Sequence, residues 1–330
     1  MSDYITWVQD NQVHLAESDE VLLDPKYPWR ERKMKTVQLA DLYQIAGYDA
    51  YAERARTCAT WLQYRVDAEG ARQLAAVNFC QLRLCPMCIG RRAKKAAYTL
   101  SRVLDAAEQQ HECLYLFLTL TVRSMPGSEL GQALTDLTAA WRRLIDHRRF
   151  EKSVLGWFRA IEITRGDKGY HPHIHAILAV PPAYFRRGAG LYISQSEWID
   201  RWQAALRCDY KPSVRIQVAK AKGEYSGERA AAAEAAKYAV KDADYIDPKL
   251  SKRKAAQILQ DYTTALHHRR LTAFGGILKD AAAALNADID DGDLVHIDED
   301  AIRDDLVQMV ETYHWHFGAG DYILSERHFA

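Results

Sequence analysis

Apolar positions between residues 113 and 218 alternate between runs of period two and runs of period about 3.6, as strands do when they alternate with helices. Cys113 to Val122 reads as a buried strand. Ser128 to Phe150 reads as a helix with Leu130, Leu134, Leu137, Trp141 and Leu144 on one face. Residues 157 to 164 and 171 to 180 read as strands, and Arg165-Gly166-Asp167-Lys168-Gly169 supplies the turn of an antiparallel hairpin. After Pro181-Pro182, Ser194-Gln195-Ser196-Glu197 has the form of a capping box opening a helix through Trp198, Trp202 and Leu206. Val214 to Val218 then alternates as a strand, and an alanine-rich run from Glu228, with Ser226 as its cap, predicts another helix. The order βαββαβ followed by α predicts an α+β fold of split βαβ type. It has an antiparallel sheet, helices on one side, and the 171–180 strand at its centre.

Chemistry concentrates in the hairpin, at His171-Pro172-His173-Ile174-His175. Side chains two apart on a strand share a face about 7 Å apart, so the imidazoles of His173 and His175 can reach one divalent ion. Ile174 and Ile177 are assigned to the buried side. With the turn centred between Asp167 and Lys168, Glu162 falls opposite His173 and projects from the same face. Two imidazoles and a carboxylate with open coordination positions suit Mg²⁺ or Mn²⁺ acting on phosphate oxygens. The plainer alternative is surface histidines and an exposed carboxylate on an edge strand.

On the alanine-rich helix, Glu234, Tyr238 and Lys241 are spaced i, i+4 and i+7 and share one stripe through Lys241. A phenol, a carboxylate and an amine on one face are the parts for covalent phosphoryl chemistry. They would serve as nucleophile, general base and charge-stabilising cation. A tyrosine at the core margin beside a solvated Glu–Lys pair would give the same stripe. Tyr245, another i+7 step along, is a second choice of nucleophile.

Three motifs in order, Phe117-Leu118-Thr119-Leu120-Thr121-Val122, then His171 to His175, then Lys237-Tyr238-Ala239-Val240-Lys241, resemble the rolling-circle plasmid replication initiators of the HUH endonuclease superfamily, single-tyrosine class. The resemblance extends to upstream cysteines and to Phe274-Gly275-Gly276, covering roughly residues 50 to 280. It implies a ferredoxin-like HUH fold that nicks single-stranded or hairpin origin DNA. Tyr238 would form a 5′-phosphotyrosine link and leave a 3′-hydroxyl primer, and Glu234 would activate water at termination. A host helicase and DNA polymerase are the implied partners. Transposases and conjugative relaxases share the motif order. A non-enzymatic zinc regulator, or a metal hydrolase without a covalent step, also fits subsets of these residues.

Cys58, Cys80, Cys85 and Cys88, with Cys85-Pro86-Met87-Cys88 as a knuckle, read as a closed structural Zn²⁺ site, followed by a basic helix at Arg91-Arg92-Ala93-Lys94-Lys95. Cys113 and Cys208 read as single buried thiols. Six cysteines, four in metal spacing, and no signal peptide or membrane span point to the bacterial cytoplasm. The formal net charge is zero, which would argue against a DNA-binding chain if it were evenly spread. It is not: residues 281–330 carry twelve acidic and two basic residues, leaving 42 basic against 32 acidic in residues 1–280. The basic part is suited to tracking phosphates. These features divide the chain into an N-terminal extension (1–45), a zinc-binding segment with its basic helix (46–110) and a catalytic domain (111–250). A helical C-terminal region (251–330) follows, acidic after 281.

Overall fold

A computed structural model describes residues 20–24, 27–219, 240–287, 289, 292–297 and 302–329. The chain is α+β, with antiparallel sheets in two compact units, each discontinuous in sequence. One draws on residues 1–94, 242–260 and 293–330, the other on 95–241 and 261–292.

The second unit is built on five strands: β3 (Leu114–Thr121), β4 (Gly156–Gly166), β5 (Gly169–Val180), β6 (Val214–Val218) and β7 (Thr272–Gly276), in the order β6-β3-β5-β4-β7. The histidine strand β5 is central, as its pattern predicts. Its hairpin with β4 closes at the Gly166–Gly169 pair around Asp167 and Lys168, and this register sets Glu162 opposite His173. Gly169 has φ +98°, and a Cβ there would meet the Met125 carbonyl at 2.3 Å, so only glycine lets β5 start where it does. Strand β7 has no counterpart in the sequence reading. Five residues ending in two glycines carry little strand signal, and Gly275, opposite Trp157, has to be glycine because a Cβ there would strike the Trp157 indole.

Helices cover both faces of this sheet, not one. Residues 95–110 of α3 (Pro86–Gln110) present Ala96, Leu100, Val103, Leu104 and Ala107 to Tyr115, Phe117, Phe158 and Ile177. Leu278, Ala281 and Ala282 of α8 (Ile277–Ala284) join the same cluster. The opposite face meets α4 (Gly127–Ile145), whose Trp141 packs on Trp157 at 5.2 Å, and α6 (Gln195–Leu206), capped by Ser194 as expected. The reason lies in β5 itself, buried along nearly its whole length, which demands cover on both sides. Ile177 accordingly shares the face of His173 and His175, whereas Ile174 points the other way; both are fully buried. The helix expected over 128–150 stops at Ile145, and His147 caps a separate α5 (Arg148–Ser153) by accepting from the Arg149 N–H at 3.0 Å. Cys113 and Cys208 are half-buried, because each stands just outside an element's end.

In the first unit, α1 (Trp29–Ile45) and α2 (Asp49–Thr57) accompany a four-stranded sheet of β1 (Trp61–Asp67), β2 (Arg72–Val77), β8 (Val307–His316) and β9 (Asp321–Phe329), ordered β2-β1-β8-β9. The C-terminal region is therefore not all helical. After α7 (Lys252–Leu266) and α8 it ends in a hairpin whose β8 pairs with β1, Leu62 opposite Tyr313 and Tyr64 opposite Glu311. Alternation in Val307 to His316 places Glu311, Tyr313 and Trp315 inward, and interior cover turns this acidic tail into sheet.

Glu311 anchors that hairpin. Its carboxylate accepts from Arg72 at 3.1 Å, from the Tyr313 hydroxyl at 2.9 Å and from Arg327 at 2.8 and 3.0 Å. Burial works to raise its pKa, but the bonds from Arg327, Tyr313 and Arg72 outweigh it and hold the carboxyl below the usual range. A lowered native pKa means this stability is complete above the unfolded value of about 4.3 and is lost as pH falls through the native value. Glu311→Gln is expected to destabilise the protein by about 2 kcal/mol at neutral pH, measured by denaturant unfolding. The gap from wild type should narrow below pH about 4. An acid-independent gap would remove the carboxylate from this account.

Candidate functional site

The β4–β5 pairing gathers Glu162, His173 and His175 on the face that also carries Ile177. The rings of His173 and His175 stand 4.7 Å apart at 85°. Both aim Nε2 at one oxygen, Glu162 Oε2, at 3.1 and 2.8 Å. Glu162, His173 and His175 are 5%, 8% and 8% exposed, so charge placed here cannot rely on water and needs partners. Burial alone would raise the Glu162 pKa; hydrogen bonds from His173 and His175 reverse the sign and hold it well below the carboxylate range.

The far sides of the rings are also engaged. His173 Nδ1 lies 3.2 Å from the His171 carbonyl oxygen, and His175 Nδ1 lies 3.3 Å from Thr119 Oγ1. A carbonyl only accepts, so His173 Nδ1 donates to it, which fixes the ring and leaves Nε2 as the nitrogen facing Glu162. The ligand atoms of all three residues lie within 4.8 Å of one another, so Glu162, His173 and His175 fit a metal ion. Thr119 escaped the sequence reading; its signal was a polar position in β3 opposite His175.

Lys241 brings its Nζ to 4.0 Å from Glu162 Oε1, with the side chain two-thirds exposed. It does so from outside a helix: Lys241 belongs to no regular element and Asp242–Asp244 form a 3-10 turn, so the helical stripe does not run through it. Aspartates at Asp242 and Asp244 favour such turns over helix interiors. Glu234 and Tyr238 lie outside the described residues. Tyr245, the second choice of nucleophile, is a core residue of the first unit, fully buried with its hydroxyl donating to the Leu84 carbonyl.

The first unit holds the other cluster. Cys58 just before β1, Cys80 and Cys85 between β2 and α3, and Cys88 in the first turn of α3 converge, with Sγ separations of 3.8 Å (Cys58–Cys88), 3.7 Å (Cys80–Cys88) and 3.6 Å (Cys58–Cys85). Disulfide sulfurs would stand about 2.05 Å apart. A tetrahedron with metal–sulfur bonds of about 2.3 Å has edges of about 3.8 Å, so the four thiols fit a closed metal site. Backbone N–H groups of Cys80 and Leu82 donate to Cys58 Sγ and Cys80 Sγ at 3.3 and 3.4 Å. Beneath the cluster, Lys33 of α1 is fully buried, its Nζ donating to the carbonyls of Arg56 at 2.9 Å and Cys58 at 2.5 Å. Burial pushes its pKa down to about 8 while Cys58, Cys85 and Cys80 oppose the shift, so an ammonium here offsets thiolate charge. A lysine on a helix gives no sequence sign of this.

Two metal-binding events of different kind are expected. Titration with Mn²⁺ should show one site that His173→Ala weakens at least 10-fold without changing the melting temperature of the metal-free protein by more than a few degrees. Cys88→Ser, or a strong chelator, should instead lower the melting temperature of the protein as isolated, because a structural metal is part of folding. Elemental analysis that finds no metal in wild type, or the same metal content in Cys88→Ser as in wild type, would refute the second expectation.

The comparisons with known proteins agree with these features. Residues 71–323 match the family described as Replication protein. The chain is 34% identical to "Protein rep" of Bacillus amyloliquefaciens over 340 aligned positions, covering 96% of this chain and 98% of the relative. It is also 34% identical to "Protein rep" of Streptococcus pneumoniae, covering 86% and 89%, and to "Replication protein" of Staphylococcus aureus, covering 64% and 92%. No solved structure matches it significantly. The chain belongs to the replication protein family, the plasmid replication initiators that its motifs resemble.

Proposed function

We propose that this protein starts rolling-circle replication of a bacterial plasmid as an HUH-type, single-tyrosine nicking endonuclease and strand transferase. The observation that carries the reading is the convergence of Glu162, His173 and His175 in one buried cluster, with the Lys241 ammonium beside them. The five-stranded antiparallel sheet with its central histidine strand supports the ferredoxin-like HUH architecture.

Glu162, His173 and His175 would hold Mn²⁺ or Mg²⁺, which when bound draws charge from phosphate oxygens. Tyr238 gives up its proton and its oxygen attacks the scissile phosphorus. A phosphotyrosine ester forms, the P–O3′ bond breaks, and the departing oxygen takes a proton to become the 3′-hydroxyl primer. Bond energy is conserved in the ester, so no nucleotide is consumed. Lys241, a positive charge next to the cluster, favours phenolate and phosphate charge. Glu234 takes a proton from water to cleave the regenerated junction and end the round.

The four cysteines hold Zn²⁺, the thiolate ligand set being its usual structural one. The division into extension, zinc-binding segment, catalytic domain and acidic C-terminal region is part of this proposal. So are origin DNA in single-stranded or hairpin form, a host helicase and polymerase as partners, and the bacterial cytoplasm as the setting. Among the described residues no helix is long and apolar enough to cross a membrane.

A labelled origin oligonucleotide incubated with the protein and Mn²⁺ should give a covalent adduct on a denaturing gel, lost in Tyr238→Phe and reduced at least 100-fold in His173→Ala. Glu234→Ala should nick normally yet accumulate unterminated products. An adduct that survives Tyr238→Phe would overturn the tyrosine mechanism, and normal termination in Glu234→Ala would overturn the role of that carboxylate.

A further inference from the structure

Strand β5 carries His173 near its start and Val180 at its end, about 24 Å farther along at ~3.4 Å per residue. Beyond Val180 the chain makes a 3-10 turn, Pro182–Phe185, and a loop leading to the Ser194 cap of α6. That loop is tied down by buried and half-buried groups. The Tyr184 hydroxyl accepts from the Ile193 N–H at 3.2 Å, Ser153 Oγ donates to the Leu191 carbonyl at 2.7 Å, and Arg149 donates to the carbonyls of Tyr192 at 2.6 Å and Gly190. Arg149 is itself held by Glu197 at 3.2 Å.

A backbone held this firmly nevertheless presents two aromatic rings to solvent. Phe185 is 47% exposed and Tyr192 is 53% exposed, among the largest apolar exposures in the described residues. Their centroids are 5.9 Å apart, and both rest on buried Tyr184, at 4.9 and 5.7 Å. Arg186 and Arg187 stand exposed beside Phe185, and Arg148 and Lys152 are exposed on α5, with Lys152 Nζ close to Gly190. Glu151 is the exposed acid of that helix; Glu197 is occupied by Arg149 and by Arg201 at 2.7 Å.

We propose that Phe185 and Tyr192 form a base-stacking platform for single-stranded DNA, with Arg148, Lys152, Arg186 and Arg187 as its phosphate contacts, separate from the Glu162–His173–His175 cluster. The proposal rests on the replication reading for the identity of its ligand. Single strands are held without regard to sequence by aromatic faces that stack bases and cations that follow the backbone, and this patch offers both. Its pinned loop has its ordering cost met in advance, which favours binding by preorganised rings. A protein partner would select a patch whose centre is depleted of charge, whereas exposed Arg186 and Arg187 follow Phe185 directly in the chain and Arg148 and Lys152 stand exposed on the helix whose Arg149 and Ser153 hold the loop. The distance from His173 places the platform where DNA flanking a nick, and not the scissile phosphate, would lie.

The test uses the full chain and a labelled oligo-dT of about 20 nucleotides in an anisotropy titration. Phe185→Ala and Tyr192→Ala should each weaken binding about 10-fold, and the double variant more, with unchanged circular dichroism and melting temperature. Phe185→Tyr should retain affinity, and the emission of Tyr192→Trp should be quenched by oligo-dT. A double variant that binds within about twofold of wild type overturns the proposal. So does a loss accompanied by a changed oligomeric state in sedimentation, which would make the patch a protein contact. The nicking reading is scored separately by the adduct on a short origin oligonucleotide. If wild type forms none, that reading fails whatever the oligo-dT titration gives; if the adduct forms in wild type and the double variant alike, it stands whether or not the platform does.

Discussion

The antiparallel pairing of β4 with β5 is the constraint on which the site depends. Because the hairpin closes on Asp167 and Lys168, Glu162 and His173 are cross-strand partners, and His175 stands one pleat farther on the same face. A slip of one residue would send the carboxylate to the opposite face, where α4 and α6 pack. Register is enforced from both sides: Gly169 admits the Met125 carbonyl where no Cβ could fit, and Ile177 and Phe158 commit the same face to the apolar core. The donors thus sit where an apolar face runs out, which keeps water scarce and makes their mutual interactions strong.

The two clusters make a physical contrast. Four thiols with tetrahedral spacing leave no room for a further ligand, whereas two imidazoles and one carboxylate leave open positions. The first arrangement suits holding chain segments together and the second suits presenting an ion to a substrate. Lys33 and Lys241 are the corresponding cations. Lys33 is sealed beneath the thiols, and Lys241 is free to meet solvent beside Glu162.

Much of the site was legible because its signals are local. The His-x-His spacing, the turn residues and the alternation of residues 157–164 all act within about 20 residues, so they fix the hairpin's register without any distant partner. The cysteine knuckle is similarly local. Tyr245 misled because an i+7 stripe presumes an unbroken helix, and the 3-10 turn at Asp242–Asp244 breaks it. Cover on both faces of the sheet was also missed, although the unbroken burial of β5 implies it. Assigning Ile174 and Ile177 to one face was an error of parity rather than of information.

Local pattern by itself determined the strand and helix order of residues 113–218, the pairing of Glu162 with His173, and the grouping of the four cysteines as one metal-type set. Only the tertiary structure decided that the C-terminal acidic stretch supplies β8 and β9 to the sheet begun by β1 and β2, that Lys33 lies under the thiols, and that Thr119 orients His175. Pairing Leu62 with Tyr313 joins residues some 250 positions apart. No periodicity encodes such a partner, because strand alternation states which face is buried but not which distant strand will bury it.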